Sequence, residues 1–139
     1  MSFRPEMVRG AAGGASLPGQ IDYRLARNSV IKEFHKGRLS RLDVCDAHPE
    51  LLRVAKSMGT PTGSTCPICE EADLVHVAYA FGPRLSPGGS AFSGAAELAK
   101  LTRRAGEVAC YVVEVCTVCS WNHLARTYAA GRRRRTASS

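Results

Sequence analysis

The stretch that decides the fold is residues 106–124, GEVACYVVEVCTVCSWNHL. It places three cysteines, a run of β-branched residues and the single tryptophan of the chain in nineteen positions. The alternating apolar residues up to Val115 predict a strand. Cys116 and Cys119 follow it directly, and two intervening residues are typical either of a redox pair or of half of a metal site.

A second pair with the same spacing, Cys66 and Cys69, precedes another alternating segment that ends at Phe81. Two such turns supply four thiolates, which is the closed tetrahedral ligand set of structural zinc. The 46 residues between the pairs exceed the compact spacing of zinc ribbons, and an inserted loop with a helix at 95–105 accounts for the excess. The sequence therefore predicts a Zn²⁺ ion bound by Cys66, Cys69, Cys116 and Cys119.

The remaining cysteines and histidines allow weaker alternatives. Cys110 lies on a predicted strand and is expected to be a small buried side chain. Cys45 and His48 have ligand spacing, so a second metal site stays open. A zinc-deaminase pattern would need His-x-Glu followed by Pro-Cys-x-x-Cys, but Thr65 replaces that proline and the pattern leaves the second cysteine pair without a role. We expect a protein that is not an enzyme.

Composition limits the class of protein. A chain of 139 residues with 45% hydrophobic and 22% charged residues is typical of one globular domain with tails. No apolar run approaches the roughly 20 residues of a membrane span, and the N-terminal residues show no apolar core of a secretory signal. We therefore expect a cytoplasmic protein with no membrane partner and with reduced thiols.

The net charge of +7 lies at the ends of the chain. Residues 1–41 carry eight basic and three acidic side chains, residues 42–131 carry seven and nine, and four arginines follow. Basic ends favour polyanionic partners, although an arginine-rich tail is also compatible with a simple solubilising role. The residues predicted to contact nucleic acid are Arg24, Arg27, Lys32, Arg132, Arg133, Arg134 and Arg135.

The predicted fold is α+β, with short N-terminal helices followed by a four-cysteine zinc ribbon. The ribbon is expected to be a three-stranded antiparallel sheet with an inserted loop and helix. The predicted divisions are a flexible segment (1–19), a helical region (20–63), the ribbon (64–130, with its helix at 95–105) and a basic tail (131–139). A basic helix over 20–36 is expected to turn Ile21, Leu25, Ile31 and Phe34 inward. Trp121 is expected in the core rather than on a base-stacking surface.

The segments SRLDVCDAHPELLRVAKSMGTPTGSTCPIC and YVVEVCTVCSWNHL resemble a small, uncharacterised actinobacterial family of zinc-ribbon-like proteins. The resemblance covers about residues 20–130 and implies the ribbon and its zinc, with no particular activity. Many zinc ribbons have a glycine after each cysteine pair, whereas this chain has Glu70 and Ser120 there.

Three functions are compatible with these features. The first is a non-enzymatic zinc protein, monomeric when free and without a small-molecule substrate. It would dock on a nucleoprotein complex such as RNA polymerase or the ribosome, or on RNA or DNA itself. The second is an adaptor that binds only protein. The third is a thiol-based redox switch that releases zinc on oxidation.

Overall fold

The computed structural model describes residues 20–131, so the predictions for 1–19 and for the arginines at 132–135 lie outside the described residues. The elements in chain order are β1 (Ile21–Asp22), α1 (Arg24–His35), α2 (Arg41–Val44), α3 (Pro49–Met58), β2 (Thr60–Thr65), β3 (Asp73–Phe81), β4 (Ser90–Phe92), α4 (Gly94–Ala105), β5 (Val108–Val115) and β6 (Asn122–Ala130). Helices and an antiparallel sheet coexist, which confirms the α+β class.

The strands form one antiparallel sheet in the order β1-β6-β5-β3-β2, with β4 also paired to β3. The described residues thus contain six strands, and the prediction of three was wrong. The three predicted strands form the centre of the sheet, and they are long enough for an alternating pattern of residues to be recognised. The other three are short edge strands of two, six and three residues, too short or too polar to show periodicity.

Strand β2 explains why sequence patterns miss such edges. Its sequence TPTGST contains a proline and a glycine, and the register with β3 shifts between Pro61 and Thr65. Proline cannot donate to a sheet ladder, so it is tolerated only at edges and bulges. The predicted helical region at 20–63 therefore also contains two strands, which extend the sheet at both ends.

Helices cover both faces of the sheet. Helix α3 packs Leu51, Val54 and Ala55 against the face formed by the odd-numbered residues of β3 and β5. Helix α4 packs on the opposite face near Ala80 and Cys110, and Arg27 of α1 reaches Glu114 on that same face. The even-numbered face is therefore shared by two helices at its opposite ends.

Local capping signals agree with the structure. Ser40 and Asp43 form a capping box at the start of α2, and Pro49 occupies the first turn of α3. The helix at 95–105 is confirmed as α4. Helix α1 begins at Arg24 rather than Gln20 because residues 21 and 22 pair with β6. Leu25, predicted to face inward, is 82% exposed, so that assignment was wrong.

Candidate metal centre

The two cysteine pairs lie in turns at the same end of the sheet. Cys66 and Cys69 connect β2 to β3, whereas Cys116 and Cys119 connect β5 to β6. Because β3 and β5 are antiparallel and pair Val75 with Val115, the start of β3 lies beside the end of β5. Sheet register alone therefore brings the pairs together across a sequence separation of 46 residues.

The four sulfur atoms fit a single ion. All four Sγ atoms lie within 4.8 Å of one another. Cys66 and Cys119 are 3.7 Å apart at sulfur, and so are Cys69 and Cys116. A tetrahedral site with metal–sulfur bonds of about 2.3 Å has sulfur–sulfur edges of about 3.8 Å. The thiols thus match a tetrahedral tetrathiolate site, the donor set preferred by zinc and by iron in proteins.

The backbone of both turns is folded around the sulfurs. The N–H groups of Ile68 and Glu71 donate to the sulfurs of Cys66 and Cys69 at 3.4 Å, and the N–H of Cys119 donates to Cys116 at the same distance. Such donors stabilise thiolate charge, which is the form in which cysteine binds metal. Each turn therefore places at least one backbone N–H against a cysteine sulfur.

The positions that follow the pairs adopt a backbone conformation that normally favours glycine. Glu70 has φ of 59° and Ser120 has φ of 78°. In each turn the N–H of that residue donates to the carbonyl of the first cysteine, at 3.1 Å for Cys66 and 3.0 Å for Cys116. The turn geometry of a cysteine knuckle is therefore present without its usual glycine, at some conformational cost.

The site lies against a small apolar cluster. Cys66 and Cys116 are fully buried, and Cys69 and Cys119 are partly buried. The apolar side chains that pack around the cysteines include Val44, Ile68, Leu74 and Trp121, with Ile31 and Phe34 of α1. Trp121 is completely buried, which confirms its predicted place in the core.

Burial raises the pKa of the Cys66 thiol to about 11 and also raises the pKa of Cys119. Desolvation penalises a buried thiolate unless a positive charge lies nearby. A metal cation supplies that charge, so metal uptake by these thiols should release protons and weaken as the pH falls.

A fifth thiol touches the cluster. Cys45, at the end of α2, has its Sγ 3.4 Å from the Sγ of Cys119, although it is not among the four mutually close sulfurs. Interaction with Cys45 raises the pKa of Arg41, and Cys119 and Cys69 act in the same direction. The sequence suggested a role for Cys45 but not this contact, because α2 is placed by packing and not by spacing.

The predicted alternative of a second metal site at Cys45 and His48 finds no support. His48 is the N-cap of α3, and its Nδ1 accepts a hydrogen bond from the N–H of Glu50 at 3.0 Å. Across residues 20–131, the four-cysteine set is the only group of three or more histidine, cysteine or acidic side chains close enough to share a metal ion. His48 is not part of it, so the deaminase-like arrangement is not formed either.

The predicted nucleic-acid contacts differ in their surroundings. Arg24 and Lys32 are exposed on α1. Arg27 is not free, because its Nε donates to the Glu114 carboxylate at 2.7 Å. Whether these residues contact nucleic acid stays a prediction, and Arg27 is the least available of the three.

Glu114 was missed by the sequence reasoning. It is buried within the apolar strand β5, where its Oε2 accepts hydrogen bonds from both Arg27 Nε and Trp121 Nε1 at 2.7 Å. A single carboxylate inside the apolar run VVEVC was the available signal, since a buried charge requires a partner. This interaction ties α1 to the sheet beside the metal centre.

The fold and the four-thiol cluster define a small α+β protein with a candidate metal centre. Residues 18–139 match the family of unknown function DUF5318, and the chain belongs to that family. Uncharacterised proteins of Mycobacterium bovis and Mycobacterium tuberculosis are each 44% identical to it over 114 residues, covering 82% of this chain and 83% of the relative. The predicted resemblance to an uncharacterised actinobacterial family is thereby confirmed.

No solved protein structure is significantly similar to this chain. Among the helices of residues 20–131, none combines the length and apolar character needed to cross a membrane.

Proposed function

We propose that the protein is a non-enzymatic zinc protein that docks on a nucleoprotein complex. The observation that carries the proposal is the four-thiol cluster itself. Four cysteine sulfurs at tetrahedral spacing would fill the coordination shell of a bound Zn²⁺ and leave no position for a substrate or a reactive water. A closed site of this type stabilises a surface rather than performing chemistry.

The surface next to the centre has features of a docking site. Leu42 is 87% exposed and Val118 is 60% exposed. Leu42 lies on α2 beside Arg41, and Val118 lies between Cys116 and Cys119. Exposed apolar side chains beside cations are suited to a surface that combines protein and phosphate. RNA polymerase bound to nucleic acid and the ribosome are complexes that present both protein and phosphate.

The basic side chains of α1 supply the electrostatic part of the proposal. Arg24 and Lys32 are exposed on this helix, which begins directly after β1. Each phosphate contact on duplex nucleic acid increases the magnitude of the salt slope of binding by about 0.9. Replacing both residues by glutamine should therefore reduce the slope by about two units. The matched control is Lys100→Gln with Arg103→Gln on α4, which removes two exposed charges at the other end of the sheet.

Affinity purification from native lysate, with and without nuclease, tests the partner class. We expect a nucleoprotein to be retained by the wild type and lost with Leu42→Ser and Val118→Ser, whose exposed positions should leave folding nearly unchanged. Retention of one protein that is insensitive to salt and nuclease would instead favour the protein-only adaptor.

The arginines at 132–135 are proposed to be an electrostatic tether. Deleting residues 132–139 should leave the melting temperature nearly unchanged, because the segment GRRRRTASS offers little apolar surface to bury. The deletion should lower the salt slope by about 3 to 4 units if all four arginines contact duplex phosphates. Unaltered binding at low salt would contradict the tether, and a large loss of thermal stability would contradict the proposed domain boundary.

One observation favours the redox switch as a second candidate. The 3.4 Å separation of the Cys45 and Cys119 sulfurs is close enough for a disulfide to form after a small movement. Hydrogen peroxide would oxidise the two thiols to a disulfide. Each thiol loses its hydrogen as the S–S bond forms, and the O–O bond breaks as the peroxide is reduced to two water molecules. The disulfide would withdraw Cys119 from the four-cysteine set.

Substitution of Cys45 distinguishes the redox switch from a zinc site that has only a structural role. Cys45→Ser should leave the metal stoichiometry unchanged, since four thiolates already close the shell. If the switch operates, this variant should retain its metal under mild peroxide whereas the wild type loses it reversibly. Equal metal loss from both proteins would exclude Cys45 as the sensor. A fall from two metals to one in the untreated variant would instead establish a second site.

A further inference from the structure

Two adjacent cavities that share lining side chains, which we call the two lobes of one cleft, lie on the sheet face that α1 and α4 share. The first lobe, of about 360 Å³, lies beside α4 and is lined largely by apolar side chains that include Ala78, Phe92 and Leu98. The second lobe, of about 460 Å³, lies beside α1 and contains Arg24 and Arg27. Both volumes are in the range of small-molecule sites, and neither lobe includes a cysteine of the metal centre.

The two lobes share two side chains, His76 of β3 and Arg126 of β6. They reach the same face because His76 pairs with Glu114 and Arg126 pairs with Val112 on the central strand β5. A bulge between Val112 and Val113 shifts the register of β6, and this shift aligns Arg126 with the even-numbered face. The junction of the lobes therefore carries a guanidinium and an imidazole.

The cations around the cleft are not equivalent. Arg27 is paired with Glu114 at 2.7 Å, and Arg24 lies 4.0 Å from Asp22. Arg126 forms no ion pair with any residue of 20–131, and its Nε is buried without a hydrogen-bond partner. Its observed contact is with the ring of Tyr128, at 5.5 Å from the ring centroid. A buried, charged N–H without an acceptor is costly, so an acceptor from outside the fold would stabilise it.

The protonation of the His76 imidazole is influenced by the same cations. Burial lowers the pKa of His76, and the positive charges of Arg126 and Arg27 act in the same direction, while Glu114 opposes them. The ring is therefore neutral near pH 7 and can donate one hydrogen bond. A bound anion would receive that hydrogen bond beside the charge of Arg126.

We propose that this cleft binds a small amphipathic anion, with its acidic group between Arg126 and His76 and its apolar part against Phe92 and Leu98. The acidic group is a carboxylate or a phosphate, both of which accept two hydrogen bonds from a guanidinium. The apolar lobe selects against small inorganic anions, since these would leave it unfilled. The proposal is independent of the docking function and adds a small-molecule ligand to a protein that was expected to have no small-molecule substrate.

Calorimetric titration of the full, metal-loaded chain tests the proposal with four probes: octanoate, octyl phosphate, octanol and inorganic phosphate. We expect the two amphipathic anions to bind measurably more tightly than octanol or inorganic phosphate. Preference for octanoate or for octyl phosphate identifies the head group. Equal binding of octanol and octanoate, or no binding of either anion at millimolar concentration, would overturn the proposal.

Two variants test the two ends of the ligand. Arg126→Gln should weaken octanoate binding by roughly 10- to 100-fold, as expected for the loss of a charged hydrogen bond, and Arg126→Lys should restore part of it. Ala95→Phe, at an exposed position of α4 that lines the apolar lobe, should weaken octanoate without weakening inorganic phosphate. Arg103→Gln, on the exposed side of α4 outside both lobes, is the matched charge control.

The readout separates binding from folding. Near-ultraviolet circular dichroism and metal content should be unchanged in Arg126→Gln. If that variant does not fold, Ala95→Phe still decides the question, because its position is exposed. Unchanged octanoate affinity in Ala95→Phe, or in a folded Arg126→Gln, would contradict the assignment of this cleft.

Discussion

The two apolar clusters at and beside the metal centre show how differently one sheet can be stabilised. The α3 cluster, between α3 and the odd-numbered sheet face, is made of Leu51, Val54, Ala55, Val77, Tyr79, Val113, Val115 and Leu124. The metal-end cluster consists of Val44, Cys66, Ile68, Leu74, Cys116 and Trp121. The first contains no metal-ligating side chain, whereas two of the six buried members of the second are candidate ligands.

This difference predicts two sources of stability. Apolar burial of about 25 cal/mol per Å² suffices to hold the α3 cluster together. The metal-end cluster is smaller, and its buried cysteines become thiolates only if a cation offsets their charge. We therefore expect packing to stabilise the strands β3 and β5 along their length, and a bound metal to stabilise the end that carries the cysteines.

The largest expected effect comes from removing one ligand. Cys116→Ser should abolish stoichiometric metal binding and destabilise the metal-end cluster, since structural zinc supplies on the order of 10 kcal/mol of binding free energy. Trp121, the single tryptophan, is fully buried in that cluster and reports its opening by a red shift of fluorescence. Elemental analysis of freshly purified, reduced protein measures the metal.

Cys110→Ser is the matched control for that experiment. Cys110 is equally buried but packs in the cluster near α4, so the same change from thiol to hydroxyl should retain the metal. Wild-type protein without metal, or Cys116→Ser with full metal content, would refute the proposed coordination.

A smaller loss of stability is expected when a cavity is made in the α3 cluster. Leu51→Ala should lower the free energy of unfolding by about 2 to 5 kcal/mol, because it leaves a cavity at a fully buried position. The folded variant should still bind one metal and keep Trp121 buried. Urea denaturation measures the loss, with Leu42→Ala at an 87% exposed leucine as the neutral control. Metal loss in Leu51→Ala would show that the two clusters are not separable.

The ion pair that connects α1 to the metal end should contribute less to the free energy of unfolding. Glu114→Gln retains an acceptor for Trp121 but removes the charge that binds Arg27, so we expect a loss of about 1 to 2 kcal/mol. Denaturation of Glu114→Gln, Arg27→Gln and the double variant measures the coupling between the two residues. Additive losses would mean that the ion pair contributes nothing beyond its separate parts.

The smallest expected effect is a gain in stability. Ser120→Gly and Glu70→Gly place glycine where φ is positive, so each should stabilise the metal end by up to about 1 kcal/mol. Thr117→Gly in the same turn, where φ is not positive, should instead destabilise it. The melting temperatures of the three variants measure this, and equal changes at Ser120 and Thr117 would contradict the conformational argument.

Local patterns predicted the elements that carry their own signal. The alternation in VACYVVEV indicated a central strand, and the segment 95–105 indicated helix α4, because both depend on near neighbours in sequence. The strands β1, β2 and β4 were missed, since short edge strands form only when a neighbouring strand offers its hydrogen bonds. Leu25 was misplaced for a related reason: its exposure depends on how α1 lies on the sheet.

The sequence by itself determined the candidate ligands, because two cysteine pairs with two intervening residues have few other uses, and it determined the basic ends of the chain. Only the tertiary structure decided what surrounds those ligands. The contact of Cys45 with Cys119, the ion pair of Arg27 with Glu114, and the meeting of His76 and Arg126 join residues 50 to 87 positions apart. Such contacts follow from sheet register and helix packing, which are set by the whole core, and no local pattern encodes them.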